Sequence, residues 1–350
     1  MNTINAYGNL SATEELIPLK ISRRDVLPTD VKIDILYCGV CHSDIHTARS
    51  EWGASQYPVV PGHEIIGRVV AAGQSVTRFG VGDIVGVGCM VDSCRHCTAC
   101  EEGVEQYCEH GATFTYGSKD NFLGGYTYGG YSENIVVDER YVLRIPESLD
   151  ISRAAPLLCA GITTWSPLKH WKVKKGDKVG VIGLGGLGHM GIKLAHALGA
   201  YVVMITSSPG KANDAKMLGA DEVLISGDAA AMKSHAYSFD FLLNTIPVGH
   251  DVDPFLKLLK RDKTMVIVGA NEPLTHLNAA LLVKRRKNIA GSLIGGIAET
   301  QEMLDFCATH RVLPEVEMVP IQKINEAWER VVRSDIKYRF VIDMKSLKSE

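Results

Sequence analysis

The segment that most restricts how this chain can fold is Gly183-Leu184-Gly185-Gly186-Leu187-Gly188. A G-x-G-x-x-G element alone carries little weight in a chain with 34 glycines. Its setting gives it meaning: it directly follows the apolar run KVGVIG and opens the helical stretch HMGIKLAHALGA. Each glycine has its own reason. Gly183 permits the tight turn, Gly185 lets backbone approach a pyrophosphate, and Gly188 lets helix and strand pack closely. The helix N-terminus then offers unpaired N–H groups and the positive end of its dipole to phosphate. The alternative is a glycine-rich turn that holds no ligand.

The surrounding rhythm supports a dinucleotide site. After about residue 150, the runs 178–184, 201–207, EVLIS, FDFLLNTI, TMVIVGA and IAGSLIGG alternate with helical patterns. These patterns end near Gly199, cover roughly 211–218 and recur near 253–260. Such alternation predicts a parallel sheet covered on both faces. Before residue 150 the pattern differs. Short β-branched runs at 31–40, 65–73, 83–91 and 133–146 predict a mainly antiparallel unit. An amphipathic helix at 324–334 and a closing strand at 338–343 complete the chain, and that strand looks more like the first region than the second.

Length and charge exclude other classes. The 350 residues suit two domains. No apolar run reaches the roughly 18 residues that a membrane span needs. A net charge of −3, from 37 basic and 40 acidic residues, argues for neither a nucleic-acid groove nor a membrane surface. The opening MNTINAYGNLSATEEL has no basic start and no apolar core, so a cytoplasmic chain without a secretory signal is expected.

The end of the second strand bears on cofactor choice. An NAD site usually carries Asp or Glu about 20 residues past the glycines, on the ribose hydroxyls. Here the strand ends in Thr206-Ser207-Ser208, with Lys211 shortly after. Three hydroxyls and an ammonium can hold a 2′-phosphate, and no carboxylate repels it. NADP is favoured. Ser208-Pro209-Gly210 can also be plain turn chemistry, with Lys211 on a solvated helix face.

Nine cysteines are the unusual count, and four of them lie between residues 94 and 108. In a reducing compartment cysteines are more often metal ligands or core residues than disulfides. Cys94, Cys97, Cys100 and Cys108 supply four soft ligands from one loop, the usual shell of structural zinc. Such an ion would order the glycine-rich lobe at 92–130. An iron–sulfur cluster is the rival, but there a gap of three residues separates the third and fourth cysteines and proline follows. Here the gap is seven residues and Glu109 follows.

A second candidate set is dispersed: Cys41 in YCGVCHSDIH, His63-Glu64 in PGHEIIG, and Cys159 in LLCAGIT. Spacing does not assemble these segments. A lone cysteine is commonly core, and Cys38-x-x-Cys41 can be a redox pair. A metalloprotease reading of His63-Glu64 needs a second histidine at 67, where Gly67 stands.

Together, CGVCHSD at 38–44, GHE at 62–64, the four-cysteine lobe, GLGGLG and GSLIGG resemble the zinc-dependent medium-chain alcohol dehydrogenases. Among these the likeness is to the cinnamyl alcohol dehydrogenase-like branch of NADP-dependent aldehyde reductases, over nearly the whole chain. The resemblance implies an α/β protein with a discontinuous GroES-like, mainly antiparallel catalytic domain (1–155 and 297–350). Residues 156–296 would form a doubly wound parallel-sheet Rossmann domain binding NADP(H). Cys41, His63 and Cys159 match ligands of a catalytic zinc, and Glu64 the adjacent carboxylate that can enter its shell. Ser43 matches the hydroxyl that bonds the substrate oxygen, and His46 the histidine passing its proton to solvent. His42 would lie near the pyrophosphate, and Arg339 near the cofactor phosphates. Thr163, Thr245, Gly269, Leu293, Ile294 and Gly295 would line the nicotinamide half. Cys38 becomes core. The site would open between the domains, and each chain would carry two zincs.

The implied activity interconverts primary alcohols and aldehydes, acting in cells as a broad aldehyde reductase on small molecules. Two other classes stand beside it: a zinc-fold NADPH reductase of C=C or C=N bonds, and a non-enzymatic NADPH- or zinc-binding sensor. Intact Cys41, His63, Cys159 and Ser43 argue against the first. Cinnamyl alcohol dehydrogenases commonly carry a pocket tryptophan shortly past the lobe's last cysteine. Here EHGATFTYG has none, which leaves Thr113, Phe114 or Trp52 as candidates. The resemblance also implies a homodimer through the edge of the cofactor domain. LNAALLV (277–283) is placed at that edge or in the core.

Overall fold

The alternating second half of the chain closes into one parallel sheet. The computed structural model describes residues 2–269 and 272–349. It divides into two units, Met1–Cys159 with Gly295–Glu350, and Ala160–Ile294.

In the Ala160–Ile294 unit we number the strands β1 (Lys178–Ile182), β2 (Tyr201–Thr206), β3 (Glu222–Ile225), β4 (Phe239–Asn244), β5 (Leu259–Ile267) and β6 (Asn288–Gly291). They lie in the order β3-β2-β1-β4-β5-β6, every neighbouring pair parallel. Burial on both faces explains their continuous apolar sequences: Val179, Val181, Val203, Ile205, Leu242 and Leu243 are all inaccessible. The order reverses at β1, so the carboxyl ends of β1 and β4 flank a crevice where doubly wound sheets take ligands. Gly183 leaves β1 at that crevice and Thr245 leaves β4 there.

Two sequence expectations change here. The helix near 253–260 is only Asp253–Leu256, and β5 starts at Leu259 rather than 264. The polar run Lys260–Lys263 hides the strand's start. Its lysines stay on the sheet because Asp240 of β4 receives Lys260 at 2.7 Å and Lys263 at 3.4 Å. Ala270, the last residue of the expected strand, lies outside the described residues.

The other unit is built on a seven-stranded sheet. Its order is Val316–Pro320, Arg339–Asp343, Asp30–Gly39, Ile65–Ala72, Ile84–Val87, Leu143–Arg144, and Asn134–Asp138 also pairs with Asp30–Gly39. All pairings are antiparallel except that of Val316–Pro320 with Arg339–Asp343. The closing strand does join the first region, with Val341 opposite Gly39. The expected strand 83–91 breaks after Val87, and Met90–Asp92 pairs instead with Thr113–Phe114. Gly88 lies at the break, where an added Cβ would stand 3.2 Å from the Leu158 carbonyl oxygen. The run 133–146 is likewise interrupted, by the turn Glu139–Tyr141, where the Asp138 carboxylate accepts the Arg140 N–H. Helix Ile297–His310 buries Thr300, Met303, Leu304 and Cys307, an i, i+3, i+4, i+7 stripe. Among the described residues no helix is long and apolar enough to cross a membrane.

Candidate metal centres and cofactor turn

Strand register brings two of the dispersed residues together. Cys38 lies opposite Ile65 in an antiparallel pair, so Cys41 leaves one strand at the end where His63 enters the next. Cys159 joins them from the turn Ala155–Leu158. One donor atom each of Cys41, His63, Glu64 and Cys159 lies within 4.8 Å of all the others. The Cys41 and Cys159 sulfurs are 3.8 Å apart. Two thiolates each about 2.3 Å from one tetrahedral zinc stand ~3.8 Å apart, so the donor set fits the ion. His63 Nδ1 contacts the Tyr116 hydroxyl at 3.2 Å and an Asp44 oxygen at 3.6 Å. Its Nε2 is buried without a hydrogen-bond partner, as is Glu64 Oε2. An imidazole held at one nitrogen and left open at the other is the usual arrangement of a metal ligand.

The surroundings are rich in acidic groups. Asp44 is inaccessible, receives the backbone N–H groups of Cys41 (2.8 Å) and Gly62 (3.1 Å), and accepts from Tyr131 at 3.2 Å. Burial raises its pKa, partly offset by His63. Burial also pushes the Glu64 carboxyl up to about 8, against the pull of Arg339. Arg339, implied near the cofactor phosphates, is buried and paired with Glu64. Thiols and carboxylates packed this closely favour a cation among them.

Ser43 and His46 lie on helix His42–Ala48, which starts directly after Cys41. The Ser43 hydroxyl donates to the Cys41 sulfur at 2.9 Å. His46 stacks on His42 on one side, with centroids 5.2 Å apart, and on Trp52 on the other, at 4.6 Å. Its Nδ1 is 2.5 Å from a Glu51 carboxylate oxygen. Burial lowers the pKa of His42. Trp52 therefore sits at the histidine pair, while Thr113 and Phe114 pair with Met90–Asp92 on the lobe.

The four lobe cysteines also meet. Their sulfurs lie within 4.8 Å of one another, with Cys94–Cys100 and Cys97–Cys108 each at 3.9 Å. The N–H groups of Cys94 and Glu109 point to the Cys108 and Cys97 sulfurs at 3.4 Å, and Ser93 Oγ lies 3.1 Å from that of Cys100. Such contacts stabilise thiolates.

In the other unit the glycine turn has the geometry that its sequence anticipates. Gly183 takes φ 94°, a left-handed value. A Cβ at Gly188 would run into the Gly183 carbonyl, whereas Gly185 and Gly210 face open space. Leu184 is buried, with Gly186 and Leu187 partly covered. Lys211 is not simply solvated: its Nζ donates to the Leu184 carbonyl at 3.0 Å, which draws it onto the turn. Thr206 Oγ1 accepts from Ser208 N at 3.1 Å, and Ser207 and Ser208 are exposed. Thr245 Oγ1 donates to the Ile182 carbonyl at 2.8 Å, tying β4 to β1 at the crevice. A Cβ on Gly269 would stand 2.7 Å from the Thr245 carbonyl oxygen. Thr163 Oγ1 is buried without a partner, an acceptor or donor that a ligand can satisfy. Leu293 is half-exposed and Ile294 has φ 37°, while Gly295 begins the return to the first unit.

Comparison with known proteins decides the family. Residues 27–147 match an alcohol dehydrogenase GroES-like domain, and residues 186–309 a zinc-binding dehydrogenase domain. The chain belongs to the zinc-dependent medium-chain alcohol dehydrogenases. It is 57% identical over 348 residues to aldehyde reductase YahK of Escherichia coli K12, covering 98% of this chain and 99% of that one. It is 53% identical to NADP-dependent alcohol dehydrogenase C 1 of Mycolicibacterium smegmatis over the full length of both. A cinnamyl alcohol dehydrogenase from Sorghum bicolor superposes with TM-score 0.95 at 44% identity, covering 98% of each chain.

Asp44, Tyr116 and Glu51 also line the site, and no sequence motif marks their contacts with it. Asp44 stands in CGVCHSD and was visible by type, but nothing in the sequence links residue 116 to residue 63.

Proposed function

We propose that this dehydrogenase interconverts primary alcohols and aldehydes with NADP(H) in the cytoplasm, as a broad-range aldehyde reductase. The observation that carries the reading is the convergence of Cys41, His63 and Cys159, with the Ser43 hydroxyl 2.9 Å from one of the sulfurs. Two thiolates and one imidazole hold zinc and leave a position open. When bound, zinc polarises a carbonyl or alcohol oxygen as a Lewis acid, and the nicotinamide exchanges hydride with the carbon.

The chain's own residues then orient and move a proton. Ser43 Oγ hydrogen-bonds the substrate oxygen and hands its proton on as the carbonyl is reduced. His46, fixed between His42 and Trp52 and bonded to Glu51, exchanges that proton with solvent. Glu64, held by Arg339, is the carboxylate available to a ligand exchange at the zinc. Gly183–Gly188 receives the pyrophosphate. Ser207, Ser208 and Lys211 hold the 2′-phosphate, and Thr163, Thr245, Gly269 and 293–295 contact the nicotinamide half. The NADP dependence named for the mycobacterial relative supports this. Cys94, Cys97, Cys100 and Cys108 hold a second, structural zinc.

A spectrophotometric panel of aliphatic and aromatic aldehydes with NADPH or NADH tests the reading. Loss of reduced-cofactor absorbance with NADPH, and little with NADH, is expected. An α,β-unsaturated aldehyde should yield the allylic alcohol. A saturated aldehyde as product, or no turnover of any aldehyde, refutes the assignment.

A further inference from the structure

A third group of metal-capable side chains lies on the lobe. One donor atom each of Cys94, His96 and His110 falls within 4.8 Å of the other two. Both histidines are exposed, and Cys94 is partly covered. Their rings lie 5.6 Å apart between centroids with planes tilted 35°. His96 Nδ1 is 2.6 Å from the Cys94 carbonyl oxygen. A carbonyl only accepts, so Nδ1 carries the ring proton and the lone pair is on Nε2. Metal-binding imidazoles are fixed in this way, the far N–H held by a backbone carbonyl.

The intervening residue reinforces the arrangement. Arg95 has φ 70°, a conformation that side-chain-bearing residues seldom take. Its guanidinium is bound by Asp92 at 2.8 Å and Asp138 at 3.1 Å, so its charge is compensated. The turn thus presents His96 without a competing free cation beside it.

Cys94 is common to this group and to the four-thiol set. We propose that His96 and His110, with Cys94, form a solvent-facing capture site through which zinc enters and leaves the four-cysteine lobe. This rests on the reading of that lobe as a zinc site. A closed tetrathiolate has no open position, so exchange requires a substitute ligand as each thiolate lets go. On entry, two imidazole nitrogens and Cys94 replace water on the hydrated ion, and the Cys94 thiol gives its proton to solvent. Cys97, Cys100 and Cys108 then displace the imidazoles and the remaining water, each thiol losing one proton. No electron changes hands.

The test follows replacement of bound zinc by isotopically enriched zinc in the intact holoenzyme, read by native mass spectrometry. His96→Asn keeps a side-chain N–H close to the Cys94 carbonyl and removes the outer nitrogen, so the turn is retained while the ligand is lost. The double variant His96→Asn, His110→Asn should still bind two zincs. Exchange of one of them should slow severalfold or more relative to the wild type, while the other exchanges unchanged. Two bound zincs exchanging at wild-type rates would overturn the capture site alone. A wild-type chain holding one zinc, with Cys97→Ser retaining it, would overturn the four-cysteine reading and this proposal with it.

Discussion

Cofactor choice rests on a few atoms. Ser207 and Ser208 are exposed at the end of β2, and Lys211 is drawn back to the glycine turn by its bond to Leu184. The ammonium therefore stands beside the glycine-turn backbone rather than on a free helix face. Ser207→Asp places a carboxylate where the 2′-phosphate would bind. Like charges about 4 Å apart repel by about 1 kcal/mol in water and several times more in a partly covered site. NADPH should lose on the order of tenfold to a hundredfold in kcat/KM, while NADH should gain through a bond to its free hydroxyls. Steady-state kinetics with both cofactors measure this. An unchanged NADPH-to-NADH ratio removes Ser207, Ser208 and Lys211 from the assignment.

Among the elements, the lobe depends most on something other than packing. Its helices are single turns, Thr98–Glu101 and Glu105–Tyr107, and a helix that short does not hold itself. A structural zinc site contributes on the order of 10 kcal/mol, comparable with the net stability of a whole domain. Cys97→Ser should therefore lower zinc content from two ions per chain to one, and residues 94–108 should lose protection from hydrogen exchange. Metal analysis with exchange mass spectrometry reads both, and retention of both ions with unchanged protection would contradict the assignment. This lobe was legible because all its ligands fall within one stretch of sequence. The dispersed Cys/His set was not, because Cys41, His63 and Cys159 meet through the register of Cys38 on Ile65 and the turn before Cys159. Only the family resemblance joined them in advance. Periodicity found the buried strands β1, β2 and β4, whose interior residues are mostly apolar. It missed the start of β5, where Lys260 and Lys263 are tolerated by a carboxylate on the neighbouring strand.

For the molecule as a whole, the two edges of the parallel sheet differ in a way that bears on assembly. The β3 edge carries charge: Glu222 pairs with His235 at 3.0 Å and with Lys178 at 3.8 Å. Charged edges resist pairing with another chain. The β6 strand, Asn288–Gly291, carries no charged side chain of its own, the basic residues Lys284, Arg285 and Arg286 standing just before it. Preceding it, helix Ala279–Val283 leaves Val283 80% exposed, and Leu277 and Leu293 are about half-exposed. The segment 277–283 is thus mostly surface, although Leu281 and Leu282 pack partly against the core. We propose that β6 and this apolar rim meet their counterparts in a second copy, giving a two-fold homodimer in which the strand pairing continues. Val283→Glu separates that proposal from a monomer with an oily surface. On an isolated chain the side chain is nearly free, and the change should cost within about 0.5 kcal/mol. Buried between copies, an unpaired carboxylate costs several kcal/mol, enough to lower the population of the dimer severalfold or more at micromolar concentration. Sedimentation should show twice the chain mass for the wild type and a shift toward the single-chain mass for the variant, with equal melting of secondary structure at low concentration. A wild type that sediments as one chain, or a variant that stays fully dimeric, would place the interface elsewhere or remove it.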